Sequence, residues 1–143
     1  MTEKQIQHFY ERIDKLTASQ KPKFGKMNAN QMICHCADFF RMATGTKKAL
    51  EYGKVDPKEI ISLGKSGKPT PAPKGFGQVE GDGTLPTNLE NDKKILKEHI
   101  VVFSEFPDDY DYAPHPYFGQ MDKKRWIGLA IYHLNHHLVQ FNV

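Results

Sequence analysis

Apolar residues recur along the chain at the three- to four-residue spacing of amphipathic helices, in four separate stretches. The stretches are roughly 3–18, roughly 29–50, from 87 or 88 to just before 107, and from 122 to about 140. Thr2, Asn28 and Asp122 are suited to cap three of these helices, because their side chains accept hydrogen bonds from free backbone N–H groups. Gly45 weakens the second pattern, so that helix is predicted to end either there or a few residues later.

The segment 51–87 lacks this periodicity and is rich in proline and glycine. A short helix, roughly 57–63, is predicted inside it, with Asp56 as the N-cap and Pro57 at the first helical position. A loop of this length is typical of a functional or mobile segment. No stretch has the two-residue alternation of a strand. We therefore predict an all-α fold, a four-helix bundle formed by one domain (1–143), with a long irregular connection between helices two and three.

Composition supports a single soluble domain and excludes several classes of function. Apolar residues make up 38% and charged residues 26% of the 143 residues, which is enough apolar content for one core. The net charge of +3 is spread along the chain and does not indicate a nucleic-acid surface. The N-terminal stretch lacks the apolar core of a signal peptide, and no stretch approaches the roughly 18 apolar residues of a membrane span. We expect a cytoplasmic protein without nucleic-acid or membrane partners.

The two cysteines, Cys34 and Cys36, are only two residues apart on the second predicted helix. At that spacing their side chains point in different directions and cannot form an ordinary disulfide. This favours a reducing compartment. Cys36 is a candidate soft metal ligand, although the role of a small core residue is favoured.

Three of the seven histidines are predicted to lie on apolar helix faces. His133 and His137 are four residues apart, which places their side chains ~5–6 Å apart on one face of the fourth helix. His35 lies between Met32 and Phe39 on the apolar stripe of the second helix. Burying an imidazole costs free energy unless its nitrogens have partners, and a metal ion supplies one partner to each ring. We therefore predict a three-histidine metal site with at least one coordination position open for water or substrate.

The pattern alone leaves other assignments open. A buried histidine is more often a hydrogen-bonded core residue than a ligand, and an HxxxH pair by itself is a weak signal. His136 is three residues after His133 and is an alternative ligand to His137. His115, between two prolines, is a candidate for the mouth of the site. His115, His136 and Tyr132 are the candidates for catalytic proton transfer.

Two segments that contain these histidines resemble a known family. HPYFGQMDKKRWIGLAIYHLNHHLVQF, residues 115–141, is similar to the C-terminal signature of one branch of the DinB/YfiT-like metalloenzyme superfamily. FGKMNANQMICHCADFFRMA, residues 24–43, is similar to the second-helix region of that branch. The resemblance implies a four-helix bundle that binds a divalent metal ion, with zinc or nickel favoured. By position, the implied ligands are His35, His133 and His137, which favours His137 over His136.

The resemblance also implies a function. Some relatives use a low-molecular-weight thiol as co-substrate, so the expected activity is a metal-dependent S-transferase or related detoxification chemistry on a small electrophile. Hydrolysis by a metal-activated water is an alternative reaction. Dimers are common in the superfamily, which leaves a homodimer open as the assembly.

A non-catalytic bundle that binds a metal or small ligand, in a stress response, is the alternative to an enzyme. Its support is the lack of an evident carboxylate base beside the histidines. The nearest acid is Asp38, three residues after His35, and it is expected only to orient that histidine.

Overall fold

The computed structural model describes residues 1–143 and contains five α-helices and no β-strand. The helices are α1 (Glu3–Lys15), α2 (Ala29–Thr44), α3 (Pro57–Lys65), α4 (Leu89–Glu105) and α5 (Lys123–Gln140). The all-α prediction is confirmed, and α3 is the short helix predicted inside the long connection. None of the helices combines the length and apolar character needed to cross a membrane.

The predicted N-caps form in the structure. The side chains of Thr2, Asn28 and Asp122 each accept a hydrogen bond from the backbone N–H three residues later, so each helix begins where its sequence satisfies a free donor. Asp56 caps α3 by accepting from the backbone N–H of Lys58.

Two helices end earlier than the periodicity suggested. The second helix ends at Gly45, the first of the two predicted positions, because this glycine adopts a left-handed backbone with φ of 73°. The extension of that helix to residue 50 is therefore wrong. The first helix stops at Lys15 rather than near residue 18, since Leu16 is extended and buries its side chain instead of continuing the helix.

The four longer helices pack so that α4 and α5 each contact both α1 and α2. Large side chains from all four fill the space between them and are almost fully buried, including Phe9, Phe40, Phe103, Trp126 and Phe141. Burial of this apolar surface is the main source of stability. The contact between α2 and α5 brings together the two helices that carry the predicted metal ligands.

The long connection is anchored to α2 after α3 ends. Phe76 is 1% exposed and belongs to the main core. The backbone N–H and the hydroxyl of Thr84 donate to the carboxylate of Asp38 at 2.8 and 2.5 Å. Because a buried side chain and a buried carboxylate both hold it, the segment between Phe76 and Thr84 has a defined position against α2.

Candidate metal centre

The structure brings His35 of α2 together with His133 and His137 of α5. His133 and His137 are one helical turn apart, and their ring centroids are 4.6 Å apart. The Nε2 atoms of His35 and His133 are 3.0 Å apart. One potential ligand nitrogen from each of the three side chains lies within 4.8 Å of the other two, so the three histidines could bind a metal ion together.

This spacing fits a shared ion. Two imidazole nitrogens bound at ~2.0–2.1 Å to one tetrahedral ion lie about 3.3 Å apart. The 3.0 Å between Nε2 of His35 and Nε2 of His133 is close to that value, and a ring nitrogen of His137 lies within 4.8 Å of both. His137 is buried, whereas His35 and His133 are partly exposed. His137 is therefore the most deeply buried of the three ligands.

The environment keeps the three imidazoles neutral. Burial lowers the pKa of His137 and of His133 well below the ordinary value, and the positive charges that neighbouring histidines would carry lower them further. Burial also lowers the pKa of His35, although the backbone of Phe76 and the charge of Asp38 oppose this effect. A metal ion requires the free lone pair of a neutral ring, so the environment of the cluster suits metal binding.

The rings are positioned by aromatic packing and by one hydrogen bond. His133 stacks on Phe39, with centroids 4.9 Å apart and an interplanar angle of 23°. The Nδ1 atoms of His35 and His133 are buried without a hydrogen-bond partner. His137 differs from both, because its Nδ1 lies 2.8 Å from Oε1 of Gln140. Sequence reasoning missed Gln140, although its position three residues after His137 on the same helix was a usable signal.

His136, the alternative ligand, lies outside the cluster. Its ring is exposed and stands between Phe24, at a centroid distance of 5.3 Å, and Tyr132, at 6.3 Å. Tyr132 is 53% exposed and stacks on His136 rather than on any of the three clustered rings. These three side chains form an exposed aromatic wall beside His137. A part in proton transfer for His136 or Tyr132 stays a prediction.

His115 is fixed in a tight turn. Its backbone N–H and carbonyl pair with Gly119, and its Nδ1 accepts hydrogen bonds from the backbone N–H groups of Tyr117 and Phe118. Because Nδ1 is an acceptor, the proton of the neutral ring is on Nε2. Burial lowers the pKa of His115 to about 4, and its ring packs 5.4 Å from that of Trp126. Its Nδ1 lone pair is occupied by the two hydrogen bonds that hold the turn before α5, and a part in proton transfer for His115 stays a prediction.

Asp38 does not orient His35, contrary to the expectation from sequence. Its side chain is fully buried and accepts hydrogen bonds from Thr84, Arg41 and Lys47. Burial raises the pKa of Asp38, but these donors outweigh burial and hold the pKa below its ordinary value. The carboxylate faces the long connection, which leaves the Nδ1 of His35 without a partner.

The cysteines are core residues and not ligands of the cluster. Cys34 and Cys36 are both buried and free. The thiol of Cys36 lies 3.7 Å from the sulfur of Met32. Burial and, to a smaller extent, the charge of Asp92 raise the pKa of Cys34 to about 12, and burial also raises the pKa of Cys36. Neither side chain is a thiolate at neutral pH, which confirms the favoured prediction for Cys36.

Comparison with known proteins gives one match. A family model described as "Protein of unknown function (DUF1569)" matches residues 64–143, more than half of the chain. The matched segment includes α4, α5 and two of the three clustered histidines, His133 and His137. No curated protein and no solved structure matches the chain. The chain therefore belongs to the DUF1569 family.

Proposed function

We propose that this chain is a metal-dependent enzyme in which His35, His133 and His137 hold one divalent ion, zinc or nickel. The observation that carries the proposal is the convergence of three neutral imidazoles, with two Nε2 atoms 3.0 Å apart on different helices. In the same proposal, α1, α2, α4 and α5 form a four-helix bundle of the DinB-like type. The contacts of α4 and α5 with both α1 and α2 support that architecture.

The proposed reaction transfers a low-molecular-weight thiol to a small electrophile. Three protein ligands would leave a coordination position open, and a bound ion would supply a Lewis-acid site that lowers the pKa of a thiol. The thiol sulfur forms a bond to the electrophilic carbon, the leaving group departs with the electron pair of its own bond, and the thiol proton goes to solvent. We propose that these small molecules approach beside His35 and His133, because these two residues are partly exposed.

The chain offers an apolar binding surface next to the cluster. Phe24 and Tyr132 flank His136 and are 44% and 53% exposed, although large aromatic side chains are usually buried. They lie on the side of His137, whose ring is 4.9 Å from that of His136. We propose that this aromatic wall, which lies beside the buried His137, binds the apolar part of the electrophile.

The first test is metal content. The chain is purified without chelators and analysed for metals, then depleted and reloaded with zinc or nickel. We expect roughly one ion per chain in the wild type, none in His133→Ala, and an unchanged content in His8→Ala, an exposed histidine on α1. Absence of bound metal both after purification and after reloading would overturn the proposal.

The second test is turnover. The reloaded protein is assayed with a panel of low-molecular-weight thiols and an alkyl halide, and we expect conversion that is lost after depletion and restored by the metal. An unchanged rate after depletion would contradict a metal-dependent enzyme.

A non-catalytic metal-binding bundle is the second candidate. The observation that favours it is the absence of a carboxylate hydrogen-bonded to any of the three histidines, because Asp38 is used to hold Thr84. His115 also lacks a free acceptor at Nδ1. If the protein binds roughly one metal ion but converts no thiol, ester or amide substrate, this candidate replaces the enzyme.

A further inference from the structure

We propose that Gln140 is a positioning residue that holds His137 in the tautomer with a free Nε2 lone pair. The inference rests on the proposed metal-binding function and extends it to a residue outside the ligand set. Four observations carry it: two hydrogen bonds of the Gln140 side chain, its burial, and a glycine that leaves room for it.

The carbonyl of Phe24 decides how the Gln140 amide is oriented. Nε2 of Gln140 donates to that carbonyl oxygen at 2.7 Å. In the flipped orientation the amide oxygen would face the carbonyl oxygen, so that two acceptors would oppose each other without a proton between them. The orientation of the Gln140 amide is therefore fixed, because the backbone carbonyl oxygen of Phe24 can only accept a hydrogen bond.

The orientation of the amide then decides the tautomer of His137. Oε1 of Gln140 lies 2.8 Å from Nδ1 of His137, and an amide oxygen only accepts. Nδ1 must carry the proton, which leaves the lone pair of the neutral ring on Nε2. A metal-binding histidine typically donates its other ring N–H to such a partner, and this bond fixes both ring orientation and tautomer.

Burial makes this bond difficult to replace with water. Gln140 is 3% exposed and His137 is 8% exposed. The backbone carbonyl of Gln140 also accepts from the N–H of Lys23 at 2.8 Å. Both the backbone and the side chain of Gln140 therefore hold the segment before α2 to the end of α5. Loss of the acceptor at this position would leave the Nδ1–H of His137 unsatisfied inside the protein.

Gly25 provides the space for this arrangement. It has a left-handed backbone with φ of 79°, and a Cβ at this position would lie 2.6 Å from Nε2 of Gln140. Any larger residue would press on the amide that faces Phe24. Among the three clustered histidines, His137 is the one whose Nδ1 has a side-chain hydrogen-bond partner.

The test compares two substitutions of similar size. Gln140→Met removes the acceptor, whereas Gln140→Glu keeps an acceptor towards His137 but loses the donor to Phe24. Zinc affinity is measured by competition with a chromophoric chelator, and the His137 tautomer is measured by ¹⁵N NMR of the metal-free protein. Gln120→Met is the matched control, because Gln120 also donates its amide to a backbone carbonyl, at 2.8 Å, and does not touch the cluster.

We expect Gln140→Met to weaken zinc binding by about 10- to 100-fold and to give a mixture of His137 tautomers. We expect Gln140→Glu and Gln120→Met to retain wild-type affinity within a few-fold and a single Nδ1–H tautomer. Wild-type affinity in Gln140→Met would overturn the proposal. An equal loss of zinc affinity in Gln140→Glu would also overturn the proposal, because Gln140 would then act by holding the Phe24 segment. If the wild type binds neither zinc nor nickel, the proposed function fails, while the NMR measurement still decides the role of Gln140.

Discussion

The Nε2 atoms of His35 and His133 lie 3.0 Å apart, although 98 residues separate the two histidines in the sequence. Without a metal ion, one of these nitrogens carries a proton and donates it to the lone pair of the other. A metal ion bound between the rings would replace this hydrogen bond and would use the lone pairs of both nitrogens. Because His35 lies on α2 and His133 on α5, such an ion would link the two helices.

Metal binding should stabilise the wild type and not His133→Ala. At a free metal concentration about 100 times the dissociation constant, one site adds about 2.7 kcal/mol to the free energy of unfolding. We expect the melting temperature of the depleted wild type to rise on addition of zinc or nickel. The melting temperature of His133→Ala should be unchanged by the metal, whereas His8→Ala should respond like the wild type. An equal rise in His133→Ala would place the metal elsewhere.

The buried carboxylate of Asp38 should be important for stability and unimportant for metal affinity. Asp38→Asn leaves Arg41 and Lys47 without their charged partner, and we expect a loss of about 3 kcal/mol, at the low end for a buried pair because both cations are partly exposed. Chemical denaturation measures this loss. Asp108→Asn is the control, since Asp108 is almost fully exposed beside Lys123 and its loss should cost under about 1 kcal/mol.

The same Asp38→Asn variant tests whether the long connection depends on this carboxylate. Thr84 loses one of its acceptors, so amide hydrogen exchange near Thr84 should become faster while exchange in α5 stays slow. Zinc affinity should stay within a few-fold of the wild type, because Asp38 does not hydrogen-bond to His35. A large fall in affinity with the fold retained would restore the sequence-based expectation that Asp38 orients that ring.

The elements that were predictable from sequence are those determined by local pattern. Asn28 and Asp122 cap their helices through backbone groups three residues away, and the i,i+4 spacing places His133 beside His137. The unpredicted features depend on distant partners. Thr84 reaches Asp38 across 46 residues, and Gln140 reaches Phe24 across 116. No periodicity encodes such contacts, because they form only when the connections settle on the packed helices.

The cysteines should be inert in the folded protein. Because burial raises the pKa of Cys34 to about 12, only about one molecule in ten thousand carries its thiolate at pH 8. Cys36 is buried as well, and burial raises its pKa too. We expect a disulfide reagent such as dithionitrobenzoate to react slowly with the native chain and to detect both thiols at once after denaturation. A fast reaction of either cysteine in the native chain would show that the core around α2 opens. It would also make a protein thiol a candidate reactant in the proposed thiol transfer.

The buried ring of His115 should make the fold sensitive to acid. Burial lowers the pKa of His115 to about 4, compared with about 6.5 in an unfolded chain. Between these two values the unfolded state binds the proton first, so protonation favours unfolding and stability falls as the pH falls from about 6.5 to about 4. The full difference corresponds to about 3 kcal/mol.

His115→Asn should remove this part of the pH dependence. The side-chain oxygen of asparagine can accept from the backbone N–H groups of Tyr117 and Phe118, and it does not titrate. We expect urea denaturation of metal-depleted protein to show a modest loss for the variant at pH 7 and a free energy that falls less steeply towards pH 4 than that of the wild type. The clustered histidines titrate in both proteins, so the difference between the two profiles isolates His115. Parallel profiles would mean that the ring is hydrated in the folded state and that the turn around it is open to water.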